Sequence, residues 1–269
     1  ILSGNMHIRT RPPIDAASDW ALIRLAEPAC DRGVLPVKVL KHEEIARAAG
    51  QNRIFQLSFH RDYADWRLAY SKPCEAALPF GNVSKEAVSR DFTNADALIL
   101  HRCDTGGASS GSPMLLDEPD GPYVIGINVG TYVLSRTLVR ETGAAQRQRQ
   151  DVIANTAVNA SEFNALIAPL RDARLLEDTA QVRRLQQLLT DLRHYSGPLD
   201  GMYGGMLRAA IQDFELTQGL PVTGLASHDL LSLIEKAQPA TSQLQPLPVP
   251  SPAISVPSSA SARPPGSAR

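Results

Sequence analysis

Apolar positions change their spacing along this chain, and the changes divide it into three stretches. Up to about residue 160 the apolar runs are short and bounded by Gly, Pro, Asn or Asp, the pattern of strands joined by turns. Such runs fall at Trp20–Leu25, Leu35–Leu40 and Ala97–Leu100, at the alternating, glycine-bounded Pro122–Tyr132, and at Ile153–Val158. Arg53–Leu68 (RIFQLSFHRDYADWRL) predicts strand, turn, strand, while HEEIARAAG (His42–Gly50) predicts a short exposed helix or a turn. The polar Arg140–Gln150 predicts an exposed loop. Beyond the last strand, Ser161 as a cap with Phe163, Leu166, Ile167 and Leu170 at helical spacing predicts a helix that closes this part near Ala173.

Residues 180–236 carry the helical period instead. Val182, Leu185, Leu188, Leu189 and Leu192 form one stripe; Ala210, Ile211 and Phe214 form a second. A third helix follows Ser227 as N-cap. Three short helices around one apolar centre make a small α domain. From Gln238 the chain turns to Pro, Ser and Ala, which bury too little apolar surface to offset chain entropy, so this stretch reads as a disordered tail.

Composition adds exclusions. The 269 residues are 43% hydrophobic with a formal net charge of -1, so no basic excess exists to neutralise phosphates and nucleic acid is not expected as a partner. No run approaches the roughly 18 apolar residues of a spanning helix. The sequence starts at Ile1 with neither a methionine nor a leader, which reads as a fragment or a processed form. No metal-ligand or paired-carboxylate motif is visible, so no cofactor or metal is expected.

The chemistry gathers at HRCDTGGASSGSPM, His101–Met114, a Gly/Ser loop between two apolar runs. Ser110-Gly111-Ser112-Pro113 resembles the nucleophile loop of trypsin-like, chymotrypsin-fold serine proteases of bacteria. Asp19, ahead of Trp20-Ala21-Leu22-Ile23-Arg24-Leu25, resembles the triad aspartate that precedes an apolar strand in that family. The resemblance implies Ser110 as nucleophile, Asp19 as the carboxylate orienting a histidine, and the backbone amides of Ala108 and Ser110 as oxyanion donors. Ala108 stands where the family usually has glycine. Asp104 and Asn128 are substrate-pocket candidates; a histidine occupies the Asn128 position in the glutamate-cleaving branch, which argues against acidic specificity. Phe55–Cys74 is similar to a family segment in which a strand leads through a His-Arg-Asp turn to a cysteine. The resemblance further implies a Cys74–Cys103 disulfide and hence an oxidising compartment. Cys30 is left over, with a partner elsewhere or as a buried thiol. None of the six histidines stands in the Ala-His-Cys-like context of the family's base, and most of a first barrel would be missing.

The helical stretch resembles the peptidoglycan-binding module of bacterial cell-wall enzymes. Its tokens are Leu185-Gln186, the Gly197-Pro198-Leu199-Asp200-Gly201 turn, Gly204, Arg208-Ala209-Ala210-Ile211, Phe214 and Gly219-Leu220-Pro221-Val222-Thr223-Gly224, with departures at Gly205 and Leu207. Together these resemblances imply a multidomain chain: an all-β double-barrel protease domain lacking most of its first barrel (residues 1–175), a small three-helix domain (176–237) and the tail (238–269). The implied function is serine endopeptidase action on a polypeptide, in the periplasm or secreted, held at the wall by peptidoglycan and inactive as this chain because the histidine is absent. The alternative is a catalytically inactive, protease-like wall-binding protein. Oligomeric state is left open.

Overall fold

The computed structural model describes residues 1–8, 11–31, 33–62, 67–77, 80–81, 83–139 and 145–237, with main chain alone at 134–139, 145–151 and 237. The expected tail, 238–269, lies outside these residues, as does the middle of the expected loop, 140–144. Two architectures share the chain: a curled antiparallel β half-barrel and, after it, three helices. A second barrel is not present among the described residues.

A two-residue ribbon comes first, β1 (Leu2–Ser3) against β2 (Ala21–Leu22). The main sheet is built from β3 (Ile54–Phe59), β4 (Leu68–Ser71), β5 (Ala76–Ala77), β6 (Leu98–His101), β7 (Pro113–Glu118), β8 (Gly121–Val139) and β9 (Ala145–Asn159). Its order is β4-β3-β7-β8-β9-β6-β5, and each neighbouring pair is antiparallel. Helix α1 (His42–Gly50) and helix α2 (Lys85–Asp91) flank the sheet, and α3 (Asn164–Asp172) follows it.

Both faces of the sheet are covered at β6, which explains why this strand has no polar side in its LILH sequence. Leu98 and Leu100 pack with Phe80, Val88, Phe92 and Tyr132; Ile99 points the other way to Ile45, Ile54, Met114 and Ile125. Alternation along the strand assigns the two sets to opposite faces. Gly126 is needed where β8 meets β9, because a Cβ there would stand 2.6 Å from the Val158 carbonyl oxygen.

Three expectations are corrected by what partners the chain finds. The Trp20–Leu25 run pairs only over Ala21–Leu22, and Ile23 and Leu25 are exposed because β1 offers just two residues to pair with. Leu35–Leu40 contributes a single bridge, Val37 to Val124, and leaves Val34, Leu35 and Val39 exposed. Residues 145–150 are strand, since β8 and β9 continue as a two-stranded ribbon whose Cα register runs to Val139 opposite Ala145. The polar composition of this stretch predicts a loop, and the main chain there pairs in a ribbon instead.

The helical part comprises α4 (Thr179–Asp191), α5 (Gly205–Thr217) and α6 (His228–Ala237) around Leu185, Leu188, Leu189, Ile211, Phe214 and Ile234. It docks on the β part. Leu175 bridges Ser227, Leu176 N–H donates to the Ala226 carbonyl at 2.9 Å, and Leu2, Leu170 and Leu225 share a core with Trp20 and Leu22.

Cys74 and Cys103 form a disulfide with Cα atoms 4.9 Å apart and 29 positions apart in sequence. The exposed Cys30 is free, against the expectation of a buried thiol. In the chain-entropy account a loop of this length contributes about 3–4 kcal/mol by restricting the unfolded chain. Cys103→Ser is expected to lower the unfolding free energy by an amount of that order in urea titration under oxidising conditions; an unchanged midpoint would remove the bridge's stabilising role.

Candidate functional site

The loop from Arg102 to Ser112 has little regular structure, so its shape comes from hydrogen bonds to surrounding strands. Asn128 on β8 is the hub. Its Nδ2 donates to the Ser109 carbonyl at 3.2 Å and lies 3.3 Å from Ser109 Oγ. Its main chain accepts from Gly111 N–H and donates to the Ser112 carbonyl, each at 2.8 Å. Because the Ser109 carbonyl can only accept, the Asn128 nitrogen faces it and Oδ1 faces His101 Nε2, 3.0 Å away, which therefore carries the proton. Asn128 and His101 are both buried.

The loop's other end is held by different groups. Asn155 Nδ2 donates to the Cys103 carbonyl, and Asp104 N–H donates to Ser71 Oγ, both at 3.0 Å. Gly107 N–H meets the Asp62 carboxylate at 3.0 Å, and Arg61 N–H donates to the Gly107 carbonyl at 2.8 Å. Ala108 adopts φ 73°, the left-handed region that glycine enters freely, at a cost for alanine of about 1 kcal/mol. The following turn, Gly111, has φ 84°. No acceptor among the described residues meets the N–H of Ala108 or of Ser110.

Ser110 is exposed, and its Oγ lies 3.4 Å from the Val129 carbonyl oxygen. It lines a cleft of about 520 Å³ together with Asp19, Trp20, Gly111 and Asn128. Asp19 follows a 3-10 turn at Ala16–Ser18, and partial burial raises its carboxyl pKa. The structure thus brings Ser110, Asp19 and Asn128 to one cleft. Asp104 stands elsewhere: it lines a separate cavity with His60, Tyr70 and Thr105. Asn128 borders the cleft, but its amide is occupied by His101 and Ser109, so it shapes the loop more than it offers a free polar group.

Histidine is the missing part. Ser110 opens on two clefts, the one with Asp19 and a second of about 350 Å³ with Leu57, Phe59, Leu68 and Pro113; among the described residues no histidine lines the Asp19 cleft. Among the described residues no group of His, Cys, Asp and Glu could hold a metal ion. The bracing roles of His101, Asn155 and Asp62 were missed in the sequence. Only the strand alternation of His101 carried a signal for them.

In the helical part, the glycine-rich turns are held by two buried polar side chains. Gln186 Oε1 accepts from Gly201 N–H at 2.8 Å while its Nε2 donates to Asp200 Oδ1 at 2.8 Å. The Glu215 carboxylate accepts from Thr223 N–H at 2.6 Å, Thr223 Oγ at 2.7 Å and Gly224 N–H at 2.8 Å. Gly201 has φ 74°, and a Cβ on it would stand 2.4 Å from the Thr179 carbonyl oxygen, so no other residue fits. Leu207, a departure from the family pattern, is buried in the core and α5 starts without a side-chain cap.

Residues 178–234 match the family described as "Putative peptidoglycan binding domain". No curated protein matches the chain. The C-terminal part is thus a peptidoglycan-binding domain by family, and the matched span contains α4, α5 and most of α6.

Burial drives the His101 pKa down from 6.5 to about 4, the Asn128 hydrogen bond partly opposing it. The unfolded chain takes up this proton near pH 6.5 while the folded chain resists it until about pH 4. Stability from this group is therefore full above pH 6.5 and lost as pH falls towards 4, by up to about 3 kcal/mol. His101→Gln is expected to flatten the fall in urea midpoint between pH 7 and pH 4.5; an equally steep fall in the variant would contradict the assignment.

Proposed function

We propose that this chain is an extracytoplasmic, wall-associated protein that binds peptidoglycan through residues 176–237. On this reading residues 1–175 are a protease-like part that does not run trypsin-like catalysis with the residues given. The observation that carries the reading is the family match over 178–234, joined to a module whose buried Gln186 and Glu215 keep its turn tokens in shape. The disulfide supports an oxidising location. Among the described residues no histidine lines the cleft that Ser110 shares with Asp19, which supports the non-catalytic half of the proposal.

A second reading is a serine endopeptidase acting on polypeptides, with a histidine supplied to the cleft from outside residues 1–269. It is favoured by Ser110 and Asp19 sharing one cleft and by the unpaired Ala108 and Ser110 amides, an arrangement suited to an oxyanion. The left-handed Ala108 supports it too, since alanine there takes the conformation open to the family's glycine.

Two measurements separate the readings. The full chain and a fragment of residues 174–237 are both expected to sediment with purified peptidoglycan; recovery no greater than that of a carrier protein would end the binding proposal. Casein cleavage by the full chain is expected at background, because loss of a general base alone removes about 10² to 10⁴ in rate. Cleavage above background that Ser110→Ala abolishes would overturn the non-catalytic reading and establish the second.

A further inference from the structure

A serine, a histidine and an aspartate alternate at positions 58, 60 and 62, where β3 runs out into the turn that braces the Ser110 loop. Ser58 Oγ and His60 Nε2 are 2.7 Å apart, and both residues are buried. On the other side of the imidazole, a Cβ added to Gly106 would stand 2.5 Å from His60 Nδ1 and 2.5 Å from Asp62 Oδ1, so both atoms crowd the same point. Gly106 is what leaves room for them. The Asp62 carboxylate is kept ionised by the Gly107 N–H, which lowers its pKa.

A nucleophile in hydrogen-bond contact with a base, with a carboxylate near that base, is the arrangement that activates a serine. Ser58 also borders the cleft of about 350 Å³ shared with Leu57, Phe59, Leu68 and Pro113, on which Ala108 and Ser110 open as well. Their N–H groups meet no acceptor among the described residues.

We propose that Ser58, His60 and Asp62 form a serine hydrolase site for esters with an apolar acyl group, separate from the Ser110 and Asp19 cleft. The apolar wall of the cleft takes the acyl chain. Ser58 Oγ passes its proton to His60 Nε2 as it bonds to the ester carbon, and the oxyanion turns towards the amides of Ala108 and Ser110. The carbon–alkoxide bond then breaks and the leaving alcohol takes the proton from His60. Water repeats the sequence on the acyl-serine, giving the carboxylic acid and restoring the Ser58 hydroxyl. Asp62 acts through His60 by holding a proton on Nδ1. This inference is independent of wall binding.

The test uses the full chain and a fluorophosphonate probe, which bonds to an activated serine oxygen with loss of fluoride, followed by peptide mass spectrometry. The adduct is expected on Ser58, at a rate that rises with pH through one ionisation. Asp62→Asn, an exposed change that keeps the side-chain shape, is expected to slow labelling on the order of 10²-fold or more, and His60→Gln is expected to abolish the pH dependence. Circular dichroism matching the parent protein establishes that each variant is folded. An adduct on Ser110, no adduct on the folded parent, or undiminished labelling in Asp62→Asn would each overturn the proposal, and none of these bears on peptidoglycan sedimentation.

Discussion

One buried amide determines the geometry around Ser110. The loop that carries this serine has no ladder of its own, and Asn128 supplies four of the hydrogen bonds that a strand neighbour would otherwise provide. Removing that side chain would leave His101 Nε2–H buried without its acceptor, at a cost of about 1–3 kcal/mol, and the Ser109 carbonyl with the Ser112 N–H alone. His101 contributes the Nε2–H that donates to Asn128 Oδ1, and burial keeps its ring neutral. The left-handed turn at Ala108 is strained, and it persists because the hydrogen bonds on either side of it determine the path of the chain.

The same logic links the two parts of the molecule. Trp20, next to Asp19 in the chain, packs with Leu2, Leu170 and Leu225, and the Arg208 guanidinium lies 5.8 Å from its ring. Arg208 is buried with Nε and Nη1 lacking partners among the described residues, so the aromatic face is a main compensation for its charge. The wall-binding domain is thereby seated against the element that carries Asp19.

Legibility in the sequence followed the strength of local patterns. The three helices of the C-terminal part were readable because their apolar spacing and their glycine turns agree: Gly201 and Gly224 are demanded by positive φ, and both stand in the tokens that identified the domain. The Ser110 loop was readable from its small residues, and the Cys74–Cys103 pairing from the resemblance. The exposed Ile23, Leu25, Val34 and Val39 were not, since apolarity marks a strand only where a partner strand is present. The Ser58 and His60 contact was invisible for another reason. A sequence gives their shared face on a strand but not the glycine opposite, Gly106, that lets an aspartate approach.

The central claim is that peptidoglycan is recognised by the helical domain and not by the β part. Backbone amide NMR of the full, isotope-labelled chain during titration with soluble peptidoglycan fragments tests it directly. The account predicts saturable shift changes concentrated in residues 178–234, with the Ser110 loop unmoved. Changes centred on the Ser110 loop, or none at saturating fragment, would contradict it.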